Sequence, residues 1–344
     1  MPQLNIIGNT NFSLGSPIEP YVPFRATGGI VETFVTGGIS YTLHTFLSGS
    51  GSFEITQGAA NIEVLVVGGG GAGSQGLQRD PATSTEAYTR GNGGGAGGYV
   101  FVSQYVKKDP QYGVPSTFNA YVGNGGVFIS GGFAAPASQS SFQQTFDLRG
   151  YYYQPVINTA SYFGGSGGGL EFTGEGNGAS GGGGGGQAIF GTQGNNGGTN
   201  DAIAGGGGMG NTGSNDNLTY AGQGGVGITL PAYFGGPSGS YPILIGGGGY
   251  GGGYFRIGYP PLGTDGTVIG ALSGSYGSGA GGSWQAGFNQ PTLTQLSGSS
   301  GLPNSGGGGG GGGTIVDLPG NTKYYGPAGN GGSGRIQVAY RTQF

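Results

Sequence analysis

Glycine constrains this chain more than any other residue, because it occurs in unbroken blocks and accounts for 92 of the 344 residues. The longest block is Gly306–Gly313. A glycine loses more backbone freedom on folding than an alanine does, by roughly 0.5–1 kcal/mol. Over the whole chain this penalty is on the order of 50–90 kcal/mol, against a usual net stability of about 5–15 kcal/mol. Glycine at this density argues against α-helices, so an ordered fold must use the blocks in another way.

The rest of the composition argues against disorder. The chain carries 21 Tyr, 18 Phe and one Trp, and its formal net charge is only −4. Solvated disordered chains have few aromatic residues and a high net charge. Collagen is excluded because the blocks do not place glycine at every third position. Flexible linkers are the alternative for any single block, but so many nearly uncharged blocks favour an ordered structure.

A packed set of polyproline-II-like helices would order the blocks. Such a helix has three residues per turn, a rise of about 3.1 Å per residue and no internal hydrogen bonds. Its N–H and C=O groups point sideways and must pair with neighbouring chains when they are buried. In this form Gly306–Gly313 would span about 25 Å. We therefore expect a lattice of polyglycine-II helices, with the segments between the blocks as loops at its ends.

Both ends of the chain carry patterns typical of β-strands. A strand is expected after a turn at Gly49–Gly51, and Asn61–Val67 begins with alternation and becomes apolar on both faces. Near the C-terminus, Ile336, Val338 and Tyr340 share one face of a strand that would close the domain.

The predicted fold is therefore all-β and irregular, with essentially no α-helix. Short strands within 41–67 and 334–341 bracket a packed lattice of polyglycine-II helices with aromatic-rich loops, at 68–333. Residues 1–28 are interpreted as a leader, and residues 29–344 as one glycine-rich domain.

Composition also excludes several kinds of site. The chain has no Cys, which removes disulfides and thiolate metal sites. A sequence pI near 4.8 argues against a nucleic-acid surface, since phosphate binding needs clustered Lys and Arg. No apolar run approaches the length of a membrane span. The N-terminus has no basic and apolar signal-peptide pattern, so synthesis in a cytoplasm is expected.

The motif matches are weak. Gly68, Gly70 and Gly73 follow a strand in the G-x-G-x-x-G spacing of dinucleotide-binding sites, but no helix is expected after them to hold a pyrophosphate. His44 is the only histidine. We expect it to be a half-exposed structural residue. With a single histidine, the chain can hardly form a Ser-His-Asp triad or a His-rich metal site.

Glycoside hydrolysis needs two carboxylates at a fixed separation. Glu171 and Glu175, or Asp201 and Asp216, are the available pairs, but the glycine-rich chain around Glu171 and Glu175 offers no scaffold to fix their distance. Solvated loop acids are the simpler interpretation. We therefore expect no catalytic, cofactor-binding or metal-binding residues.

Aromatic residues cluster in the segments between glycine blocks. Tyr and Trp offer a large contact area at low entropic cost, while Ser, Gly and Asn supply adaptable hydrogen bonds. Such composition is typical of a recognition surface built from loops, although about half of the rings are expected to cover the flanks of the lattice. The receptor-binding candidates are Tyr151, Tyr152, Tyr153, Tyr162, Phe163, Trp284, Phe288, Tyr324 and Tyr325.

The ordered ends of the chain carry a resemblance. Tyr41–Phe46, Ser52–Ile55 and Glu63–Gly71 resemble the opening of the glycine-rich domain of bacteriophage tail-fibre proteins, and Gly332–Arg341 resembles its closing strand. In alternating glycine motifs with variable segments, the chain is also similar to the distal tail-fibre adhesins of T-even-like phages. The resemblance implies a sandwich of polyglycine-II helices whose loops bind the host receptor. Those adhesins carry a substantial N-terminal attachment domain, whereas little sequence precedes the match here.

Together these features predict a non-enzymatic phage adhesin that binds a host surface protein or glycan through loops on a rigid platform. The main alternative is a structural virion protein (a fibre, capsid decoration or tail-assembly component) whose loops contact other viral subunits. A non-viral glycine-rich coat or ice-binding protein is a third. Residues 1–28 are the expected docking segment for other tail or fibre proteins. We expect a virion location, synthesis in the host cytoplasm, no nucleic-acid partner and no membrane insertion, and a homo-oligomer is compatible with the sequence.

Overall fold

The computed structural model describes residues 22–75, 91–108, 116–129, 137–144, 195, 197, 205–214, 222–252, 254–257, 278–279, 297–317 and 322–342. Within these ranges the chain forms β-strands, two short 3-10 turns (Ala232–Gly235 and Pro237–Gly239) and no α-helix, which confirms the predicted all-β class. The strands are β1 (Arg25–Thr27), β2 (Ile30–Thr36), β3 (Ile39–Phe46), β4 (Gly49–Gln57), β5 (Ala59–Val67), β6 (Tyr99–Lys107), β7 (Ser116–Val122), β8 (Ser141–Gln144), β9 (Ile228–Thr229), β10 (Leu244–Ile245), β11 (Tyr254–Ile257), β12 (Thr314–Asp317), β13 (Thr322–Tyr325) and β14 (Arg335–Arg341).

Two antiparallel sheets pack face to face as a sandwich. One has five strands in the order β2-β3-β14-β5-β6, and the other has four in the order β1-β4-β7-β8. The core between them includes Phe53, Phe118 and Phe142 from the four-stranded sheet. The rings of Phe118 and Phe142 stack with centroids 5.0 Å apart. Alternation along each strand directs these apolar side chains to one face, and burying that face stabilises the sandwich.

The closing strand β14 lies between β3 and β5 in the five-stranded sheet. Ile336, Val338 and Tyr340 all belong to the sandwich core, which confirms their predicted shared face. On the opposite side of the sheet, Ala339 packs in a second core beneath the segment 228–245. Both sides of the sheet are covered here, so the last four residues of β5, which are apolar on both faces, are all buried.

Glycines near the N-terminus serve a turn and a close approach. Gly37 and Gly38 form the two-residue connection between β2 and β3 with φ values of 58° and 77°, as tight hairpins require. The turn predicted at Gly49–Gly51 is wrong, because these residues lie in β4 and pair with β7. A Cβ on Gly51 would lie 2.9 Å from the Phe46 ring, so glycine is needed where the strand passes this ring.

A buried histidine ties the first described residues to the sandwich. His44 Nδ1 donates to the Gly28 carbonyl at 2.8 Å, because a carbonyl oxygen can only accept. Its Nε2 then accepts from the Tyr340 hydroxyl at 3.2 Å. The predicted half-exposed position is wrong: His44 is fully buried, because both the strand β14 and the ring of Phe53 pack against it. Burial lowers the pKa of His44 below its ordinary 6.5. Residues at the end of the predicted leader form β1, which pairs with β4.

Further strands lie in the part of the chain that was predicted as lattice and loops. β6 pairs with β5 in unbroken register from Ala59↔Lys107 to Val67↔Tyr99, and β7 and β8 complete the four-stranded sheet. The run Tyr99–Lys107 is rich in aromatic and β-branched residues, a strand signal that could have been found. The glycine blocks are therefore interrupted by sheet as well as by loops.

The glycine run Gly306–Gly313 lies fully buried at the centre of the lattice. Its backbone makes hydrogen bonds with six neighbouring runs, for example from Gly308 N–H to the Gly247 carbonyl at 2.9 Å. The neighbours are 68–75, 91–98, 246–252, 278–279, 297–301 and 326–334. These bonds between runs satisfy the polar backbone groups that a helix or a sheet would otherwise pair.

The bonds between runs repeat every three residues. Three donors in run 68–75 reach run 91–98 at intervals of three, and their acceptors step by three in the reverse direction. The bonds are Gly68 to Gly98, Gly71 to Gly95 and Ser74 to Asn92, at 2.8, 2.8 and 2.9 Å. A three-residue turn with sideways bonds is the geometry of a polyproline-II helix. The polyglycine-II assignment stays a prediction, and it explains the three-residue repeat of these hydrogen bonds.

Side chains do not fit between the runs. A Cβ added to Gly308, Gly309 or Gly312 would lie closer than 3.0 Å to backbone atoms of a neighbouring run, a separation that real Cβ atoms essentially never show. Because backbone packs directly on backbone, glycine itself is the packing residue of this part of the molecule.

Candidate functional site

The direction of the glycine runs defines two ends of the lattice. Gly68 directly follows β5 and bonds to Gly98, which directly precedes β6, so this end adjoins the sandwich. The runs 246–252 and 306–313 lead away from the sandwich, whereas the run 326–334 leads back into β14. We call the end away from the sandwich the distal end.

A three-stranded sheet lies at the distal end. β11 and β12 follow the two runs that lead away from the sandwich, and β13 precedes the run that returns to it. β11 and β12 are therefore parallel, while β12 and β13 are antiparallel. We call this unit (254–257, 314–317 and 322–325) the distal sheet. Its parallel pair joins segments that are far apart in the sequence, and the lattice is what brings them together.

Two of the nine predicted receptor-binding residues lie in the distal sheet. Tyr324 and Tyr325 belong to β13, so the expectation that they lie in a loop is wrong; Thr322–Tyr325 pairs with β12 along its whole length. Each lies in register, across β12, with an aromatic residue of β11. Tyr324 is level with Ile315 and Phe255, and Tyr325 is level with Thr314 and Tyr254. The structure thus brings aromatic positions of β11 and β13 to the same level of the distal sheet.

The other seven candidates lie outside the described residues: Tyr151, Tyr152, Tyr153, Tyr162, Phe163, Trp284 and Phe288. Beyond these segments the described chain contains runs that begin at Gly205 and Ser297. Both runs proceed toward the sandwich, because the first is antiparallel to 246–252 and the second is parallel to 326–334. The run that begins at Ser297, directly after the segment with Trp284 and Phe288, therefore starts at the distal end. Asn195, the first described residue after the segment with the other five candidates, bonds to the Gly208 carbonyl nearer the sandwich.

The described residues also form concave surface at the sandwich. A groove of about 830 Å³ lies between β2 and the segment 232–244, with Phe34, Tyr241 and Leu302 in its lining. A smaller concavity of about 420 Å³ includes Glu63 and Arg341. The groove is mainly apolar, which suits an apolar or polypeptide partner better than a charged ligand.

A buried arginine fastens the segment 228–245 to the five-stranded sheet. Arg335 is fully buried, and its Nη2 donates to the Pro242 carbonyl at 2.6 Å. Burial lowers the pKa of Arg335 to about 10, so the guanidinium stays charged at neutral pH. Its Nε and Nη1 have no hydrogen-bond partner among the described residues. Arg335 is not among the residues predicted from the sequence, although its charge immediately before the apolar alternation of β14 is a usable signal.

Two tyrosines anchor the same segment. Tyr233 stacks on Tyr41 with ring centroids 4.9 Å apart. Burial, together with a hydrogen bond to the Glu63 carboxylate, raises the pKa of Tyr233 far above its ordinary value. Burial also raises the pKa of Tyr241, and its hydrogen bond to Glu32 adds to the increase. Both phenols therefore stay protonated and hold the segment against the sheet.

The dinucleotide-like motif is part of the lattice. Gly68, Gly70 and Gly73 are buried, and their N–H groups donate to carbonyls of other runs. No helix follows them up to Gln75, the last described residue of that segment. A pyrophosphate would need free N–H groups at a helix N-terminus, so these glycines serve packing.

Within the described part of the chain, no group of three or more His, Cys, Asp or Glu residues could hold a metal ion. In the same residues, no helix has the length and apolar character needed to cross a membrane. Comparison with known proteins finds no matching family model, curated protein or solved structure.

Proposed function

We propose that this protein is a bacteriophage tail-fibre adhesin that binds a host surface protein or glycan at the distal end of its glycine lattice. The proposal rests on the resemblance of residues 41 to 341 to phage tail-fibre glycine-rich domains and on the chemistry of the aromatic segments. Tyr and Trp supply contact area with little side-chain entropy to lose, which suits recognition of varied surfaces.

The observation that carries the proposal is the continuous connection between the sandwich and the distal sheet. Gly306–Gly313 is buried, bonds to six neighbouring runs and leads directly into β12. A recognition surface on such a support loses little freedom on binding, because its base is already ordered. Several copies on one particle would multiply modest single contacts into durable attachment.

The test uses the full chain, fluorescently labelled, on a panel of bacterial strains measured by flow cytometry. We expect labelling of a restricted set of strains and inhibition of phage adsorption to those strains. Labelling of no strain would contradict the adhesin and leave the structural virion role.

Two variants locate the binding surface. Replacement of residues 280–296, which contain Trp284 and Phe288, by a Gly/Ser segment of equal length should weaken labelling at least about ten-fold. The matched control replaces residues 109–115, which connect β6 and β7 of the two sandwich sheets, and should label like the wild type. Equal labelling by both variants would place the receptor contact outside 280–296, and weaker labelling by the control alone would contradict binding at the distal end.

A further inference from the structure

Strand β2 forms an open edge of the five-stranded sheet. It pairs with β3 on one side over all seven residues, from Ile30↔Thr45 to Thr36↔Ile39, without a bulge. No strand in the described part of the chain pairs with its other side. In an antiparallel pair, alternate residues direct their N–H and C=O groups away from the partner strand. β2 therefore presents a regular row of backbone donors and acceptors.

The side chains of β2 do not protect this edge. Ile30, Val31 and Val35 are 50%, 51% and 68% exposed. Proteins usually protect an edge strand with Lys, Pro, a bulge or an inward-pointing charge. The opposite edge strand, β6, ends in Lys107 and is followed by Lys108, whereas β2 has no Lys, no Pro and no break in register. Its one charge, Glu32, does point inward, but Tyr241 of the same chain already bonds and covers it, so it does not block pairing along the edge. Such an edge is expected to pair with another strand.

We propose that the partner is β2 of a second copy of this chain, joined in antiparallel register about a two-fold axis at Thr33. In this register Val31 lies opposite Val35 of the other copy, twice by symmetry, so the exposed valines cover each other. Glu32 is the only charged residue of β2. It lies opposite Phe34 rather than opposite the second Glu32, so no like charges meet. The two five-stranded sheets become one continuous sheet of ten strands.

The proposal is independent of the receptor. It concerns the sandwich, and the distal sheet stays free in the dimer because it lies at the other end of the glycine runs. Joining two copies at the sandwich also provides the multivalency that attachment uses.

A cysteine placed on the two-fold axis tests the register. The chain has no Cys, and residues directly opposite in an antiparallel pair have Cα atoms about 4.5–5.5 Å apart, within disulfide range. Thr33→Cys should therefore give a covalent homodimer under mild oxidation, seen on non-reducing gels. Thr36→Cys is the matched control: its own copy lies six strand positions away, about 20 Å, so it should stay uncrosslinked. Equal crosslinking of both variants, or of neither, would overturn the register.

Sedimentation of the full wild-type chain tests the dimer itself. We expect a mass of about twice 33.8 kDa that dissociates on dilution. Val31→Lys combined with Val35→Lys should raise the dissociation constant at least ten-fold, because four lysines then face one another. Val127→Lys, at a similarly exposed valine (53%) outside β2, should leave it within two-fold. Circular dichroism of both variants checks that they are folded. A wild type that sediments as a monomer at every concentration, or a double variant that dimerises normally, would overturn the proposal.

Discussion

Replacing Gly308 with alanine should destabilise the protein far more than the addition of one methyl group usually does. The new Cβ would lie within 3.0 Å of backbone atoms of Gly94 and Gly249, which belong to two different runs. Gly94 N–H donates to the carbonyl of Gly309, the neighbour of Gly308, and Gly249 N–H donates to the Gly94 carbonyl, both at 2.8 Å. The methyl can be accommodated only if these bonds lengthen or break.

The magnitude follows from what must move. Each lost backbone bond costs about 0.5–1.5 kcal/mol net, and each buried group left unpaired costs about 1–3 kcal/mol. With two bonds displaced, we expect Gly308→Ala to lower the free energy of unfolding by about 3–5 kcal/mol. That is a large share of a typical stability of about 5–15 kcal/mol. At an unstrained, open position the same substitution would stabilise by about 0.4–1 kcal/mol through the unfolded chain.

Gly38→Ala is the matched control. A Cβ at Gly38 meets nothing within 4 Å, but its φ is 77°, so alanine there costs about 1–2 kcal/mol for backbone conformation alone. Urea unfolding followed by circular dichroism and tyrosine fluorescence measures both variants. If Gly308→Ala is no more destabilised than Gly38→Ala, the runs are not packed backbone to backbone, and the reasoning fails.

Three further predictions concern the sandwich and its second layer. His44 is held neutral, with a pKa below 6.5, so its contribution is complete above pH 6.5. It is lost as the pH falls toward the pKa of the folded state, by up to about 1.4 kcal/mol per pH unit; His44→Gln should remove that slope from pH-dependent urea unfolding. Arg335→Met should unfold at the same urea concentration as the wild type or higher, since it removes a buried charge whose Nε and Nη1 have no partner among the described residues; clear destabilisation would show that its bond to the Pro242 carbonyl dominates. Phe118→Ala should cost about 3–5 kcal/mol by thermal or urea unfolding, because it removes the ring stacked on Phe142 in the core.

The elements that could be predicted from sequence are those whose pattern is local. Ile336, Val338 and Tyr340 alternate without interruption, so their shared face could be read directly, and the same holds for β5. Runs of glycine disfavour helix through backbone entropy, so the lack of α-helix in the described residues could be predicted from composition.

The remaining features depend on contacts that no local pattern carries. The burial of His44 comes from β14, which is almost three hundred residues away in the sequence. Gly51 lies in a strand because it pairs with Ala120 of β7, which is distant in the sequence. The parallel pairing of β11 with β12 depends on the lattice, which brings the two strands together. Arg335 is buried because the segment 228–245 folds back over the sheet.

Hydrogen exchange of the amides in Gly306–Gly313 tests the central claim that glycine is the packing core. Selective ¹⁵N-glycine labelling lets these amides be followed by NMR together with that of Gly334, which donates to the Gly123 carbonyl beside β14. If the runs form a buried, hydrogen-bonded lattice, the amides of Gly308 to Gly312 should exchange only through the same global opening as the sandwich. Exchange of these amides at the rate of an unstructured peptide, while the amide of Gly334 stays protected, would show that the blocks are linkers and would contradict the claim.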